Sequence, residues 1–280
     1  MNRRQFLLSL ALALSGFKAH AASFDPEDIH SLRLGNHFDA AKIEKKYSKL
    51  WLDTLNQGQR IGNGTGKKIM NESAQRALTT IAQPLWRVST RTNLNWNIIL
   101  TDSSDVNACT PGGGLILIYK GLISQCAEEV ELASVIAHEI GHVQHRHAIQ
   151  RIMTQVVQQQ MGISPSGLSD KDKNGASMEM LMEKAVDLIN LSYGRLHEHQ
   201  ADAFIIQAFL KAGYPPSKAS LFFHRLIKLF DRQSPNYCLY STHPLMVERI
   251  KRMDAIAASY GSKNKSHVSS EAFRFLKTIS

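Results

Sequence analysis

The sequence predicts an α+β fold that is predominantly helical, a single domain with a small sheet beside a histidine-bearing helix. Three observations predict it. Strand patterns are confined to residues 93–119, helical periodicity fills most of the rest, and one long apolar helix carries four histidines and a glutamate within ten positions, in "HEIGHVQHRH". A few strands followed by many helices is the order expected of an α+β domain. The 280 residues, 43% hydrophobic and 20% charged, have ordinary globular composition and suffice for one large core.

The chain opens on "MNRRQFLLSLALALSGFKAHAAS", with a basic start, an apolar run from Phe6 to Leu14 and a small-residue site at Ala19-His20-Ala21. That is the layout of a secretory signal, with cleavage expected after Ala21. Arg3-Arg4, with Lys18 near the cleavage site, resembles a twin-arginine export signal. Residues 1–21 are therefore read as the leader. No cysteine follows the cleavage site, which argues against a bacterial lipid anchor. The apolar run is short for a bilayer span and no later segment approaches one. The mature chain is expected in a bacterial periplasm or outside the cell, with no transmembrane segment.

The formal net charge is +9, and the leader's three cations leave +6 for the remainder. No Lys/Arg block is interleaved with aromatics, so no nucleic-acid partner is expected, whereas an anionic envelope surface suits the mild basic excess. Cys109, Cys126 and Cys238 are an odd number. Export permits one disulfide with the third thiol buried, and the spacings suggest neither a pair nor a metal cluster.

Residues 22–60 form a helical lead-in through Leu34, Tyr47, Leu50 and Leu55. The domain proper is expected over 61–260. Residues 69–88 read as an amphipathic helix through Met70, Ala74, Ala77, Leu78 and Ile81. "NLNWNIILTD", residues 93–102, alternates and is β-branched, a strand. Residues 105–122 break at Pro111 and three glycines, then resume as a strand from Leu115 to Tyr119. Helical pattern runs from 127 to 160, opened by Glu128, Glu129 and Glu131, acids that suit the positive end of the helix dipole. Residues 162–177 are polar, rich in Gly and Ser, and expected to be mobile. Helical periodicity returns over 178–212, stops at Gly213-Tyr214-Pro215-Pro216, and returns over 217–231 and 245–260. Residues 261–280 read as a basic tail.

His138 and His142, four apart on the 127–160 helix, face the same way one turn apart. Glu139 lies beside them. This H-E-x-x-H arrangement supplies two zinc ligands and a general base. Zinc lowers the pKa of bound water from 15.7 to about 7, and the glutamate takes the proton and delivers it to the leaving amine. The bland alternative, core histidines with ordinary hydrogen bonds, leaves several imidazoles to be buried on an apolar helix. A catalytic zinc takes a third protein ligand and keeps an open position. Ala148 stands where a metzincin would have its third histidine. His145 lies along the same straight helix, where it cannot complete a tetrahedron. That leaves a carboxylate on a second helix, the gluzincin solution. "RLHEHQADAF", residues 195–204, offers Glu198 as third ligand, with Asp202 one turn on to accept the free ring N–H of a ligand histidine. Glu179, Glu183 and Asp187 are rivals, and His197 and His199 point off that face. His145 and His147 are expected to support ligands or structure rather than to ligate.

"HEIGHVQHRH", "RLHEHQAD" and "VNACTPGGGLILIYKGL" together resemble the HtpX/BepA/Oma-type (CaaX-prenyl-protease-like) zinc metallopeptidases, in their soluble periplasmic branch. The likeness covers roughly residues 60–260. It matches the family's H-E-x-x-H at His138, Glu139 and His142 and its E-x-x-A-D at Glu198 to Asp202. Its N-A-[FY]-x-x-P-G-G segment falls on Asn107 to Gly113, with Cys109 in place of the aromatic. The resemblance implies one zinc per chain in a gluzincin domain. "STHPLMVERI", residues 241–250, is similar to the family's S-x-H-P-x-x-x-x-R-I segment. It implies that His243 approaches the metal, holds the transition-state oxyanion or latches the open position. Arg195 and Arg249 resemble family arginines near the site, each able to pair with Asp202 or a substrate carbonyl.

Asn107 and the glycines Gly112, Gly113 and Gly114 precede the active-site helix. They are expected either to present an exposed strand that takes substrate as an added strand, or merely to turn the chain between two strands. The expected function is an exported zinc metalloendopeptidase acting on extended, unfolded or misfolded polypeptides in envelope quality control, envelope membrane proteins among its partners. The alternatives are a zinc-dependent chaperone or assembly factor with weak or latent proteolysis, and a purely structural metal site.

Overall fold

The structure, a computed structural model, describes residues 40–59, 66–151, 193–230, 243, 246–260 and 268–280. The leader, the polar segment 162–177, the rival acids Glu179, Glu183 and Asp187, and Cys238 lie outside the described residues. The chain divides into residues 1–43 and a larger unit, residues 44–280. Of the first, only residues 40–43 are described, in the opening turn of helix α1.

Helix α1 spans Ala40–Asn56. In the larger unit it buries Tyr47, Trp51 and Leu55, a four-residue repeat that keeps one face inward. Leu50, expected on that face, is exposed. Helix α2 spans Glu72–Trp86 and starts where the Asn71 side chain accepts the Ala74 N–H at 3.0 Å, a cap that satisfies one orphan donor. It buries Ala74, Ala77, Leu78, Ile81, Ala82 and Leu85. Met70 precedes the cap and is exposed.

Three strands form one sheet in the order β1-β3-β2. β1 (Asn97–Thr101) runs parallel to β3 (Leu115–Tyr119), and β2 (Ala108–Gly112) pairs antiparallel to β3. β3 is buried throughout, as its unbroken Leu-Ile-Leu-Ile run requires of a central strand. Gly112, Gly113 and Gly114 take φ of 91°, 64° and 85°, left-handed backbone that admits glycine most readily. β2 pairs on one side only among the described residues, but residues 107–112 are buried. Among the described residues β2 is thus an edge in its hydrogen bonding, while its side chains pack inward against helix α4.

After the short helix α3 (Lys120–Gln125) comes α4, Glu129–Gln144. Glu128 and Glu131 close a capping box at its start. Residues 129–143 are all buried, which is what a helix apolar on every side implies. The expected continuation to 160 is corrected. The helix stops at Gln144, Arg146 adopts φ 57°, and residues 147–151 are helical again on a new course. Helix α5 spans Arg195–Ala212 and ends on Gly213 at φ 84°. The periodicity over 178–212 is not one helix, because Tyr193 and Gly194 are non-helical and Gly194 is extended at ψ 157°.

A 3₁₀ turn at Pro216–Lys218 leads to α6 (Leu221–Phe230), and α7 spans Met246–Ser259. The basic tail proves to be partly core. Helix α8, Glu271–Ile279, is capped by Ser270 and buries Phe273 and Leu276. Glu129 at the start of α4 accepts the Ser270 N–H at 2.7 Å, which ties the C-terminal helix to the histidine-bearing one. Cys109 and Cys126 are buried, and the Cys109 Sγ lies 3.4 Å from the Tyr119 hydroxyl. No helix among the described residues is long and apolar enough to cross a membrane.

α4 and α5 meet at Gly141. A Cβ there would lie 2.7 Å from the Ala201 Cα and 2.9 Å from its carbonyl oxygen. Backbone touches backbone, and the two motif-bearing helices are drawn within reach of a single ion.

Candidate metal centre

His138, His142, Glu198 and His243 each offer a ligand atom, and these atoms all lie within 4.8 Å of one another in the protein interior. α4 contributes two imidazoles one turn apart, with Nε2 atoms 3.0 Å from each other. α5 contributes Glu198, whose Oε2 is 3.5 Å from His138 Nε2 and whose Oε1 is 3.5 Å from His142 Nε2. His243, just ahead of α7, places Nδ1 2.9 Å from Glu198 Oε1 and 3.2 Å from His138 Nε2.

The outer contacts fix which ring nitrogens face inward. His147 Nε2 meets Gln200 Oε1 at 2.9 Å, so it donates there and its Nδ1 accepts. His142 Nδ1, 2.8 Å from His147 Nδ1, therefore donates, and His142 Nε2 presents a lone pair. His138 Nδ1 lies 3.1 Å from Asp202 Oδ1 and donates to it, so its Nε2 also presents a lone pair. Two lone pairs 3.0 Å apart repel unless a proton or a metal ion lies between them. Two imidazole nitrogens and a carboxylate form the donor set that zinc accepts, and the inward lone pairs fit such an ion.

Arg249 organises the acids. Its Nε and Nη2 donate to Asp202 Oδ2 and Oδ1 at 2.8 and 2.7 Å. Its Nη1 is 2.5 Å from Glu198 Oε2 and donates to the His243 carbonyl at 3.2 Å. The guanidinium is wholly buried and stands over the Phe223 ring. Burial alone would raise both carboxyls. His243 and Arg249 beside Glu198, and Arg249 beside Asp202, instead hold them below the ordinary range. Burial and the neighbouring histidines keep His142 and His147 neutral. Burial opposes charge on His138 too, but its bonds to Asp202 and Glu198 prevail and raise it to about 9. Without metal, the lone-pair conflict is thus relieved by a proton on His138.

Glu139 is fully buried, and neither carboxylate oxygen has a hydrogen-bond partner among the described residues. Its nearest ion-pair contact is His243 Nε2, at 3.6 Å from Oε1. A carboxyl left so costs free energy, and desolvation raises its pKa.

His145, His197 and His199 stand outside the ligand set. His145 and His197 stack on His147 at 5.4 and 4.2 Å, and His199 lies 3.8 Å from Glu248. Arg195, expected near the site, is exposed in the first turn of α5, and the position beside Asp202 is filled by Arg249. Asn107 and Gly112 to Gly114 lie at the ends of β2, the strand that packs on α4. Sequence reasoning missed Tyr193. Its ring stacks on His142 with centroids 3.9 Å apart, and Arg151 covers it at 4.3 Å. No local pattern marks it, since the stack forms only when the segment before α5 crosses the end of α4.

A model of peptidase family M48 matches residues 72–257. The chain is 27% identical over 200 residues to the metalloprotease YcaL of Escherichia coli, covering 69% of this chain and 75% of that one. It is 23% identical over 212 residues to the mitochondrial metalloendopeptidase OMA1 of Schizosaccharomyces pombe, covering 72% and 61%. It is 26% identical over 160 residues to the beta-barrel assembly-enhancing protease of Escherichia coli, covering 55% of this chain and 33% of that one. The matched region is thus less than two thirds of the last two relatives.

Proposed function

The chain belongs to peptidase family M48 and is a metallopeptidase, and from that premise we propose that it is an exported endopeptidase using one zinc ion held by His138, His142 and Glu198. The observation that carries this is the convergence of two inward-facing ring nitrogens and one carboxylate beside a second buried carboxylate, Glu139, which has no hydrogen-bond partner among the described residues. An ion held there supplies Lewis-acid polarisation of a peptide carbonyl and acidifies water toward neutrality. The remaining work falls to the chain. Glu139 takes a proton from water and passes it to the departing amine, and its burial moves it toward the range such a base needs. Asp202, aligned by Arg249, fixes the His138 tautomer. His147 and Gln200 do the same for His142.

His243 contributes a fourth donor to the cluster, and in this reading it stands where substrate would approach. It acts as a latch at rest and, once displaced, stands close enough to partner the oxyanion. The same four donors would also make a closed structural site, a reading that gives the buried Glu139 carboxylate no task.

Polypeptides are the substrates. Extended or misfolded chains of the bacterial envelope are the proposed ones, on three supports: the leader-like residues 1–21, the one-sided pairing of β2 among the described residues and the likeness to a beta-barrel assembly-enhancing protease. A substrate strand adds to the unpaired side of β2 and gains main-chain hydrogen bonds with little sequence preference. The decisive experiment is metal analysis with casein digestion on wild type, Glu139→Gln and Glu198→Ala. Glu139→Gln should keep its zinc and lose cleavage, whereas Glu198→Ala should lose both. Undiminished cleavage by Glu139→Gln would refute the peptidase mechanism. A zinc-loaded wild type that binds casein without cutting it would favour the chaperone reading.

A further inference from the structure

We propose that Glu44 and Arg91 are positioning residues, a buried strut that sets the β2 edge against the metal-bearing helix and so holds an added polypeptide in register with the metal centre. The inference rests on the reading of β2 as the substrate strand.

Glu44 on α1 is 1% exposed. Its two oxygens take both arms of the Arg91 guanidinium, Nη1 to Oε1 at 2.7 Å and Nη2 to Oε2 at 2.6 Å. Oε1 also accepts the Gly113 N–H at 2.9 Å. The same Arg91 Nη1 donates to the Val143 carbonyl at 2.8 Å, one residue past His142. Four separate segments thus share one ion pair: α1, the loop after α2, the β2–β3 turn and the last turn of α4. Thr110 stiffens the turn further, its hydroxyl accepting from Gly112 N at 3.0 Å and donating to Leu115 O at 2.7 Å.

Stability does not explain the arrangement. A desolvated ion pair is often no better than apolar residues of the same volume. What a bidentate Arg–carboxylate pair supplies is fixed distance and angle. The glycines make room for it, since a Cβ on Gly112 would stand 3.0 Å from Glu44 Oε1. From the Gly113 amide to the Val143 carbonyl, every link is a short polar contact, so the β2 turn cannot shift relative to His142 without breaking one. Catalysis is sensitive to displacements of an ångström in substrate position, and these links constrain the strand proposed to carry the substrate.

The test compares zinc-loaded wild type, Glu139→Gln, Glu44→Gln, Arg91→Met and the Glu44→Gln/Arg91→Met double variant, with unfolded casein as substrate. Each single strut variant should raise KM about tenfold, with kcat and zinc content held within about twofold. The double variant should regain thermal stability over the singles, because no charge is left buried alone, yet keep the raised KM. That split is the signature of positioning. Recovery of KM together with stability would reduce the pair to a structural role and overturn the inference, as would unchanged KM in all three variants. Failure of the peptidase reading looks different: Glu139→Gln would then cut casein as fast as wild type.

Discussion

His142 Nδ1 lies 2.8 Å from His147 Nδ1, a contact made across a break in the chain where Arg146 adopts φ 57°. On an unbroken helix, residues five apart do not face each other. The break turns His147 back onto the imidazole it supports. Replacing His147 with Phe removes the acceptor while keeping the ring's bulk, and should weaken zinc affinity about 10- to 100-fold. Arg146→Gly relieves the left-handed backbone and should leave affinity intact while stabilising the fold by up to about 1 kcal/mol. Competitive chelator titration and thermal melts check both.

Gly141 sets two effects against each other. Alanine in a helix interior is favoured over glycine by about 1 kcal/mol. Here its methyl would meet the Ala201 backbone at 2.7 Å, and overpacking of this kind costs about 1 to 3 kcal/mol. The clash should prevail. Gly141→Ala should melt earlier and bind zinc more weakly, because separating α4 from α5 draws Glu198 away from the histidines. A rise in melting temperature with full zinc content would contradict this account of the helix contact.

His243→Ala separates the two roles of the fourth donor. Nδ1 lies 2.9 Å from Glu198 Oε1, and the latch proposed for the ring predicts that its removal raises the initial rate of casein cleavage severalfold. A steep fall in kcat instead would assign His243 chiefly to the oxyanion.

The histidines also predict a pH profile for the metal-free protein. His138, raised to about 9, stabilises the fold fully below its ordinary 6.5, and that contribution is lost as pH climbs through 9. His142 and His147, held below 6.5, act in the opposite direction. The unfolded chain takes up protons there that the fold refuses, so stability falls as pH drops below 6.5. Glu198 and Asp202, both lowered, extend that acid loss below their ordinary values. EDTA-treated protein should therefore be most heat-stable at about pH 7. Zinc should flatten the alkaline side, since the ion replaces the His138 proton. Melts across this range with and without zinc test it, and a chelated protein that keeps gaining stability up to pH 9 would contradict the tautomer chain.

Much of the fold was legible because local rules dominate it. β3 was read to the residue, from Leu115 to Tyr119, since an apolar run bounded by glycine and followed by a helix admits little else. The start of α4 was legible in its acids. Its end was not: nothing local distinguishes Arg146 from a helical residue, and the stop comes from contacts that His147 makes elsewhere. The C-terminal helix was misread as a tail because its lysine and arginine outweighed the Phe273–Leu276 pair, which finds its core only against α2 and α3.

By itself the sequence determined the chemistry on offer. One helical turn separates His138 from His142, and another separates Glu198 from Asp202, because helix period is a local property of the chain. Which groups meet was decided by tertiary structure alone. Gly141 lets two backbones touch, Arg249 rather than Arg195 reaches the buried acids, His243 arrives from just ahead of α7, and Glu44 is bound to the β2 turn. Such meetings depend on how close helices pack and where loops return, and a linear sequence states neither distance.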